Sequence, residues 1–128
     1  MSLGLPLPHD AAPLHVTGQA RYVDDIPLPE GALHLAFGTS TEAHADITAL
    51  DLTAVRAAPG VVAVLSAEDL PDMPDCSPSV HDEPLLATGR VHYAGQPIFL
   101  VIAETHLAAR KAARLAKVTY APLPALLT

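Results

Sequence analysis

A run of six apolar residues, Ile98 to Ala103, restricts the fold of this chain more than any other feature. A Gly95-Gln96-Pro97 turn precedes the run, and an alanine-rich helix is predicted to begin after Thr105, which is a suitable N-cap. Successive side chains of a strand point to opposite faces. An uninterrupted apolar run therefore predicts a central strand whose two faces are both covered.

The remaining apolar pattern twice predicts the order strand, helix, strand. Alternation over Leu33 to Thr41 predicts a first strand, with Leu33, Leu35 and Phe37 on its buried face. Further strands are predicted over Ile47 to Leu52, Val61 to Leu65 and Lys117 to Tyr120, with a short helix at Ala54 to Ala58. This order predicts an α+β fold, a two-layer domain with a mixed sheet and helices mainly on one side.

The 128 residues suffice for one domain. Residues 1–16 contain three prolines and no periodic apolar pattern, which predicts an extended arm, and residues 17–128 are predicted to form the single domain. We expect the apolar arm and the helix after Thr105 to border an interface. Residues 71–84 carry four prolines and four acidic residues, which predicts a surface loop.

The charge is unevenly distributed and excludes some classes of partner. All 14 acidic residues precede residue 105, whereas the last 24 residues carry four cations and no acid. An overall charge of −7 argues against nucleic acid as a partner, because phosphate binding requires a basic surface. No apolar run reaches the ~20 residues of a membrane span, and no secretory signal is evident. The single cysteine, Cys76, fits a reducing cytoplasm and lies among acids, which favours an inert thiol.

The sequence contains no pattern that predicts catalysis. Seven histidines are scattered without the short spacings of a metal site. The acid pairs Asp24-Asp25 and Asp82-Glu83 are adjacent, which is typical of turns, whereas catalytic carboxylates converge from separate positions. We therefore assign no catalytic, cofactor-binding or metal residue. Gly95, Gln96 and Pro97 are candidates for a structural turn or an interface, and Gln96 is the member whose side chain could instead approach a cofactor channel.

Two longer motifs, His15 to Pro27 and Val91 to Pro97, carry a resemblance to a known family. Shorter motifs accompany them in the same order: Leu35-Ala36-Phe37, Asp46-Ile47-Thr48, Ala57 to Val61, Ala67 to Pro71, Glu83 to Ala87 and Val118-Thr119-Tyr120. Together they resemble the N-terminal α/β hammerhead domain of the molybdopterin-binding large subunit in the xanthine oxidase and aldehyde oxidase family. The ending Tyr120-Ala121-Pro122 looks most like the bacterial two-subunit xanthine dehydrogenases.

The resemblance implies a function for a larger protein of which this chain is expected to be a fragment. That enzyme hydroxylates purines such as hypoxanthine and xanthine with water, and passes electrons from molybdenum-molybdopterin through 2Fe-2S clusters and FAD to NAD. The implied partners are the downstream molybdenum-binding domains and the Fe–S/FAD subunit. No position in residues 1–128 matches the family's catalytic motifs, so this chain alone is predicted to be inactive. The alternative is a free-standing protein-interaction module.

Overall fold

The computed structural model describes residue 4 and residues 6–125, and the chain divides into two compact units, Met1–Glu30 and Gly31–Thr128. The first unit contains a short helix, α1 (Ala12–Val16), and a 3-10 turn at Val23–Asp25. The prediction of an extended arm over residues 1–16 is therefore wrong for Ala12–Val16, and residues 1–3 and 5 lie outside the described residues. Pro13 is compatible with this helix because it lies in the first turn, where a backbone N–H has no helical partner.

Within its described residues, 31–125, the second unit contains six strands and two α-helices. They are β1 (His34–Thr39), β2 (Ala45–Asp51), α2 (Thr53–Arg56), β3 (Val61–Ser66), β4 (Arg90–Val91), β5 (Pro97–Ala103), α3 (His106–Ala113) and β6 (Lys117–Pro122). A 3-10 turn at Ala67–Asp69 lies in the long connection between β3 and β4. The five strands predicted from the apolar pattern are present within a few residues of their expected limits. The short apolar stretch Leu85-Leu86-Ala87, a weaker strand candidate by its sequence, does not form a strand. The α+β class is confirmed.

The predicted mixed sheet is wrong, because the strands form two three-stranded sheets that are antiparallel throughout. The first sheet has the order β1-β5-β3 and the second β4-β2-β6. Each strand-helix-strand unit places its two strands in different sheets, so neither unit forms a parallel pair. The link between β2 and β3 spans only residues 52–60, whereas a parallel crossover needs about a dozen residues or more.

The core joins the first sheet and helix α3 with α2 and with residues of the second sheet such as Ala45 and Val91. Val101 of the central strand β5 is completely buried, and Ala109 and Ala112 of α3 belong to the same cluster. The alanine-rich sequence of this helix provides a narrow face of small residues, which allows α3 to lie against β1 and β5. Thr105 caps the helix as predicted, since its Oγ1 accepts a 3.1 Å hydrogen bond from the Ala108 N–H.

Strand β1 alternates as predicted, but the prediction of which face is buried is wrong. Leu33, Leu35 and Phe37 are 44%, 54% and 46% exposed, whereas Ala36 packs on the core and Gly38 is buried. Helix α3 contacts β1, and the ring of Phe99 on β5 already fills the space beside Gly38, so a large side chain does not fit at that position. The large apolar side chains of β1 therefore point away from the core of this unit.

Candidate functional site

The turn before β5 holds the residues that the sequence singled out. Gly95 has a φ of 93°, a left-handed conformation that glycine adopts without strain. The Gln96 side chain is buried, and its Oε1 accepts a 2.7 Å hydrogen bond from the His92 N–H. Pro97 begins β5, and its carbonyl accepts a 2.8 Å bond from the Ala87 N–H. The side chain of Gln96 is therefore bound to the backbone of its own turn.

The same turn is fastened to the end of β1 through Ser40, which is buried. The Ser40 N–H donates to the Gln96 carbonyl at 2.9 Å, and the Gly95 N–H donates to the Ser40 carbonyl at 2.8 Å. The Ser40 Oγ also accepts a 3.0 Å bond from the Glu42 N–H. These bonds favour a structural role for Gln96 over contact with a ligand, while a role of the turn in an interface stays a prediction.

Replacement of Gln96 by Met is expected to destabilise the domain by about 1–3 kcal/mol, because the His92 N–H then loses its acceptor in a part-buried site. Urea unfolding measures this change. The control is Tyr93→Ala in the same turn, which removes a 54% exposed side chain and should leave the unfolding midpoint nearly unchanged. Equal midpoints for the Q96M variant and the parent would contradict the structural role.

The predicted surface loop at residues 71–84 contains a network of hydrogen bonds. The Asp75 carboxylate accepts bonds from the Ser77 N–H at 2.8 Å, from the Ser77 hydroxyl, and from His81 Nδ1 at 2.7 Å. The Ser77 Oγ in turn accepts bonds from the N–H groups of Asp82 at 3.0 Å and Glu83 at 2.8 Å. The acid pair thus contributes backbone groups to a turn, as its adjacency predicted, and the exposed Cys76 lies within this loop.

This network depends on pH through Asp75. The Ser77 hydroxyl, and after it the Ser77 N–H, hold the pKa of the Asp75 carboxyl below its usual value of 3.8. Because folding lowers the pKa of Asp75, the stabilisation is complete when the pH is above the usual pKa. It is lost as the pH falls through the lowered pKa of the folded state. The loop should therefore stay closed at neutral pH and open in acid.

Removal of the Ser77 hydroxyl is expected to open the loop at neutral pH. In the Ser77→Ala variant, the amides of Asp82 and Glu83 should exchange with deuterium about tenfold faster, because both lose their acceptor. The matched control is Ser79→Ala in the same loop. If both variants exchange at the parental rate, the network does not hold the loop.

An open cleft of about 560 Å³ lies beside strand β1. We call it the α3–β1 cleft; its lining includes Phe37 and Thr39 of β1, Arg110 and Arg114 of α3, and Tyr120 of β6. The two arginines are one helical turn apart, so their side chains lie on the same side of α3. With Phe99, which also lines it, the cleft combines three aromatic rings with two guanidinium groups.

The cleft arginines have no acidic partner among the described residues. The ion pairs among the described residues lie elsewhere and join His81 to Asp75 at 2.7 Å and Arg90 to Asp46 at 2.6 Å. Arg90 uses two of its nitrogens and holds the pKa of Asp46 below its usual range. Arg110 and Arg114 lack such a neighbour, which leaves both able to bind carboxylates from outside the unit.

Two classes of site are not found in the part of the chain that the structure describes. Residue 4 and residues 6–125 contain no group of three or more His, Cys, Asp or Glu side chains that could hold a metal ion. His44 and His92 do stack, with ring centroids 5.8 Å apart, but they form only a pair. No helix within these ranges is long and apolar enough to cross a membrane.

Sequence reasoning missed both the cleft and the Ser77 network. The spacing of Arg110 and Arg114 was a usable signal, because residues four apart share a helix face. No local pattern in the sequence indicated that β1 and β6 would complete the cleft around them. Ser77 lies among prolines and acids without periodicity, so its contacts had no signature in the sequence.

Comparison with known proteins assigns the fold to a family. A family model described as "Aldehyde oxidase and xanthine dehydrogenase, a/b hammerhead domain" matches residues 17–124. Xanthine dehydrogenase/oxidase of Rattus norvegicus is 43% identical over 126 residues, which are 98% of this chain and 9% of that protein. Aldehyde oxidase of Homo sapiens is 39% identical over 127 residues, which are 98% of this chain and 10% of that protein.

A solved structure agrees with these sequence matches. The Cu,Mo-CO dehydrogenase in its carbon monoxide reduced state superposes with a TM-score of 0.82 at 35% identity. The match covers 98% of this chain and 16% of that chain. The chain thus spans about a tenth of the length of the curated relatives it matches.

Proposed function

Because this chain belongs to the aldehyde oxidase and xanthine dehydrogenase a/b hammerhead domain family, we propose that it is the N-terminal structural domain of a molybdenum hydroxylase that resembles xanthine dehydrogenase. The observation that carries the proposal is the extent of the match. Residues 17–124 match the family model, yet the chain corresponds to only 9–10% of the length of the relatives. The chemistry of the enzyme is therefore assigned to other parts of a longer polypeptide.

The proposed enzyme hydroxylates a purine such as hypoxanthine or xanthine. A carbon–hydrogen bond is replaced by a carbon–oxygen bond with oxygen from water, and two electrons leave the substrate. The electrons pass through 2Fe-2S clusters and FAD and reduce NAD. A purine substrate is supported by the xanthine dehydrogenases among the relatives, which include proteins 38–43% identical to this chain. An aldehyde oxidase at 39% lies within the same range, so the experiment below decides between the two substrates.

We propose that this chain contributes no residue to cofactor binding. The described residues contain no group of three or more His, Cys, Asp or Glu side chains that could hold a metal ion, and the side-chain Oε1 of Gln96 accepts a hydrogen bond from the His92 N–H. We therefore place molybdenum-molybdopterin, the iron–sulfur clusters, FAD and NAD on other segments or on a partner subunit. The role of this chain is to fold and to hold the molybdenum-binding domains and the Fe–S/FAD subunit. The cytoplasm is the proposed location, which is supported by the single free cysteine.

The test is expression of the complete reading frame that contains this chain, together with its Fe–S/FAD subunit. Purified complex should contain molybdenum and should reduce NAD when xanthine is added, whereas the 128-residue chain alone should do neither. A heat-treated sample is the control for background turnover. A reading frame without a molybdenum-binding segment would overturn the proposal and support a free-standing interaction module. A molybdenum-loaded complex that oxidises aldehydes but not xanthine would overturn the purine assignment.

A further inference from the structure

We propose that the outward face of β1 and the α3–β1 cleft together bind an apolar segment that carries carboxylates and belongs to the same longer polypeptide. We call Leu33, Leu35 and Phe37 the outward row. The proposal rests on the proposed function, because it takes the occupant from the remainder of a molybdenum hydroxylase subunit. It identifies the surface through which the rest of that polypeptide would bind this domain.

Apolar side chains continue from the outward row across the other two strands of the first sheet. Leu35 pairs with Ile102 of β5, which pairs with Ala63 of β3. Paired residues of antiparallel strands lie on the same face of a sheet, so these three apolar side chains form one line across it.

A second line of apolar side chains lies next to the first on the same face of the sheet. Phe37 pairs with Leu100, which pairs with Leu65. Leu100 and Leu65 are partly buried, whereas Phe37 at the edge is 46% exposed. A monomeric domain rarely leaves a contiguous apolar patch of more than a few hundred Å² in water. The exposed edge of this face therefore indicates a partner.

The cleft determines the charge of that partner. Phe37 lines the cleft as well as belonging to the outward row, so the apolar face and the two cleft arginines adjoin. Arg110 and Arg114 form no ion pair with a described residue. A guanidinium binds a carboxylate through two parallel hydrogen bonds. The occupant should therefore present an Asp or Glu beside its apolar side chains.

A segment of the same polypeptide fits this surface better than a second copy of the chain. The solved CO dehydrogenase chain extends well beyond this domain, which covers 16% of it, so a long stretch of tethered chain is present in such proteins. A tethered segment binds at high effective concentration. In a two-fold symmetric dimer the same patch meets itself, which would bring the arginines of both copies together without a carboxylate.

The test measures access to the outward row in the complete polypeptide. A Leu35→Cys variant is treated with a maleimide, and the peptide that contains position 35 is followed by mass spectrometry. Labelling in the native protein should be at least about tenfold slower than in urea, because the site is covered. Leu33→Cys is the second position, to be used if the first variant does not fold. Labelling near the urea rate at both positions would overturn the proposal.

Charge reversal tests the cleft with a matched control. Arg114→Glu should accelerate labelling at position 35 severalfold, because it repels the carboxylate of the occupant. Lys111→Glu changes the same charge on the same helix, but Lys111 lines a different groove with Leu107 and Leu115. It should leave the labelling rate unchanged. Equal effects of the two reversals would overturn the role of the cleft, and protection that rises with protein concentration would identify a second copy instead.

Two separate measurements distinguish failure of this inference from failure of the proposed function. Molybdenum analysis of the same preparation reports on the function, and labelling reports on the surface. A molybdenum-loaded protein with rapid labelling at position 35 retains the function and overturns only the docking surface. A reading frame without a molybdenum-binding segment overturns both.

Discussion

Replacement of Val101 by Asp is expected to abolish folding of the domain. Val101 is completely buried in the central strand β5, between Ala36 of β1 and Val64 of β3, on the face that packs against α3. A buried carboxylate without a partner costs several kcal/mol. That cost is comparable to the total stability of a domain, about 5–15 kcal/mol.

Circular dichroism and thermal unfolding measure this effect. The neighbouring substitution Ile102→Asp is the matched control, since Ile102 lies on the opposite, partly buried face of the same strand. We expect the control to retain a cooperative transition at a lower temperature. A cooperative transition of the V101D variant close to that of the parent would show that β5 is not the centre of the core.

Introduction of a single methyl group at Gly38 is the second substitution expected to have a large effect. A Cβ at this position would overlap the ring of Phe99, which is only 2% exposed and lies directly opposite on β5. Because the ring fills the core, it cannot move into water without a loss of buried area. Overpacking of this kind typically costs about 1–3 kcal/mol, and the severity of the overlap places Gly38→Ala at the upper end.

A double-mutant cycle tests whether the Phe99 ring is the cause. Phe99→Ala alone should cost about 3–5 kcal/mol through loss of buried area and the cavity that remains. The combined variant should cost clearly less than the sum of the two single changes, because the methyl group then occupies space that the ring has left. Urea unfolding of the four proteins gives the coupling free energy. Additive costs would show that the glycine is required for another reason.

Local signals in the sequence predicted the elements well. The apolar run ending at Ala103 predicted the central strand, and Thr105 predicted the start of the helix, because strand pleating and N-capping depend on neighbouring residues alone. The alanine face of α3 likewise predicted close packing, and Ala109 and Ala112 are buried. These features could be predicted because each one depends on residues within a few positions of each other.

The orientation of β1 could not be predicted in the same way. Alternation defines two faces of a strand but does not state which one meets the core. The rule that large apolar residues point inward selected Leu35 and Phe37, whereas the structure buries Gly38 and packs Ala36 on the core. The ring of Phe99 on β5 fills the space beside Gly38, and α3 contacts the same strand, so this choice depends on contacts between distant parts of the chain.

The sequence by itself determined the α+β class, the positions of the strands, the cap of α3, the turn at Gly95 and, through its motifs, the family. The tertiary structure alone decided three other features: the division into two antiparallel sheets, the outward row of β1, and the cleft around Arg110 and Arg114. The physical reason is the separation along the chain over which each interaction acts. Backbone preferences and capping act between neighbours, whereas strand pairing and the choice of buried face depend on which distant surfaces compete for the same core.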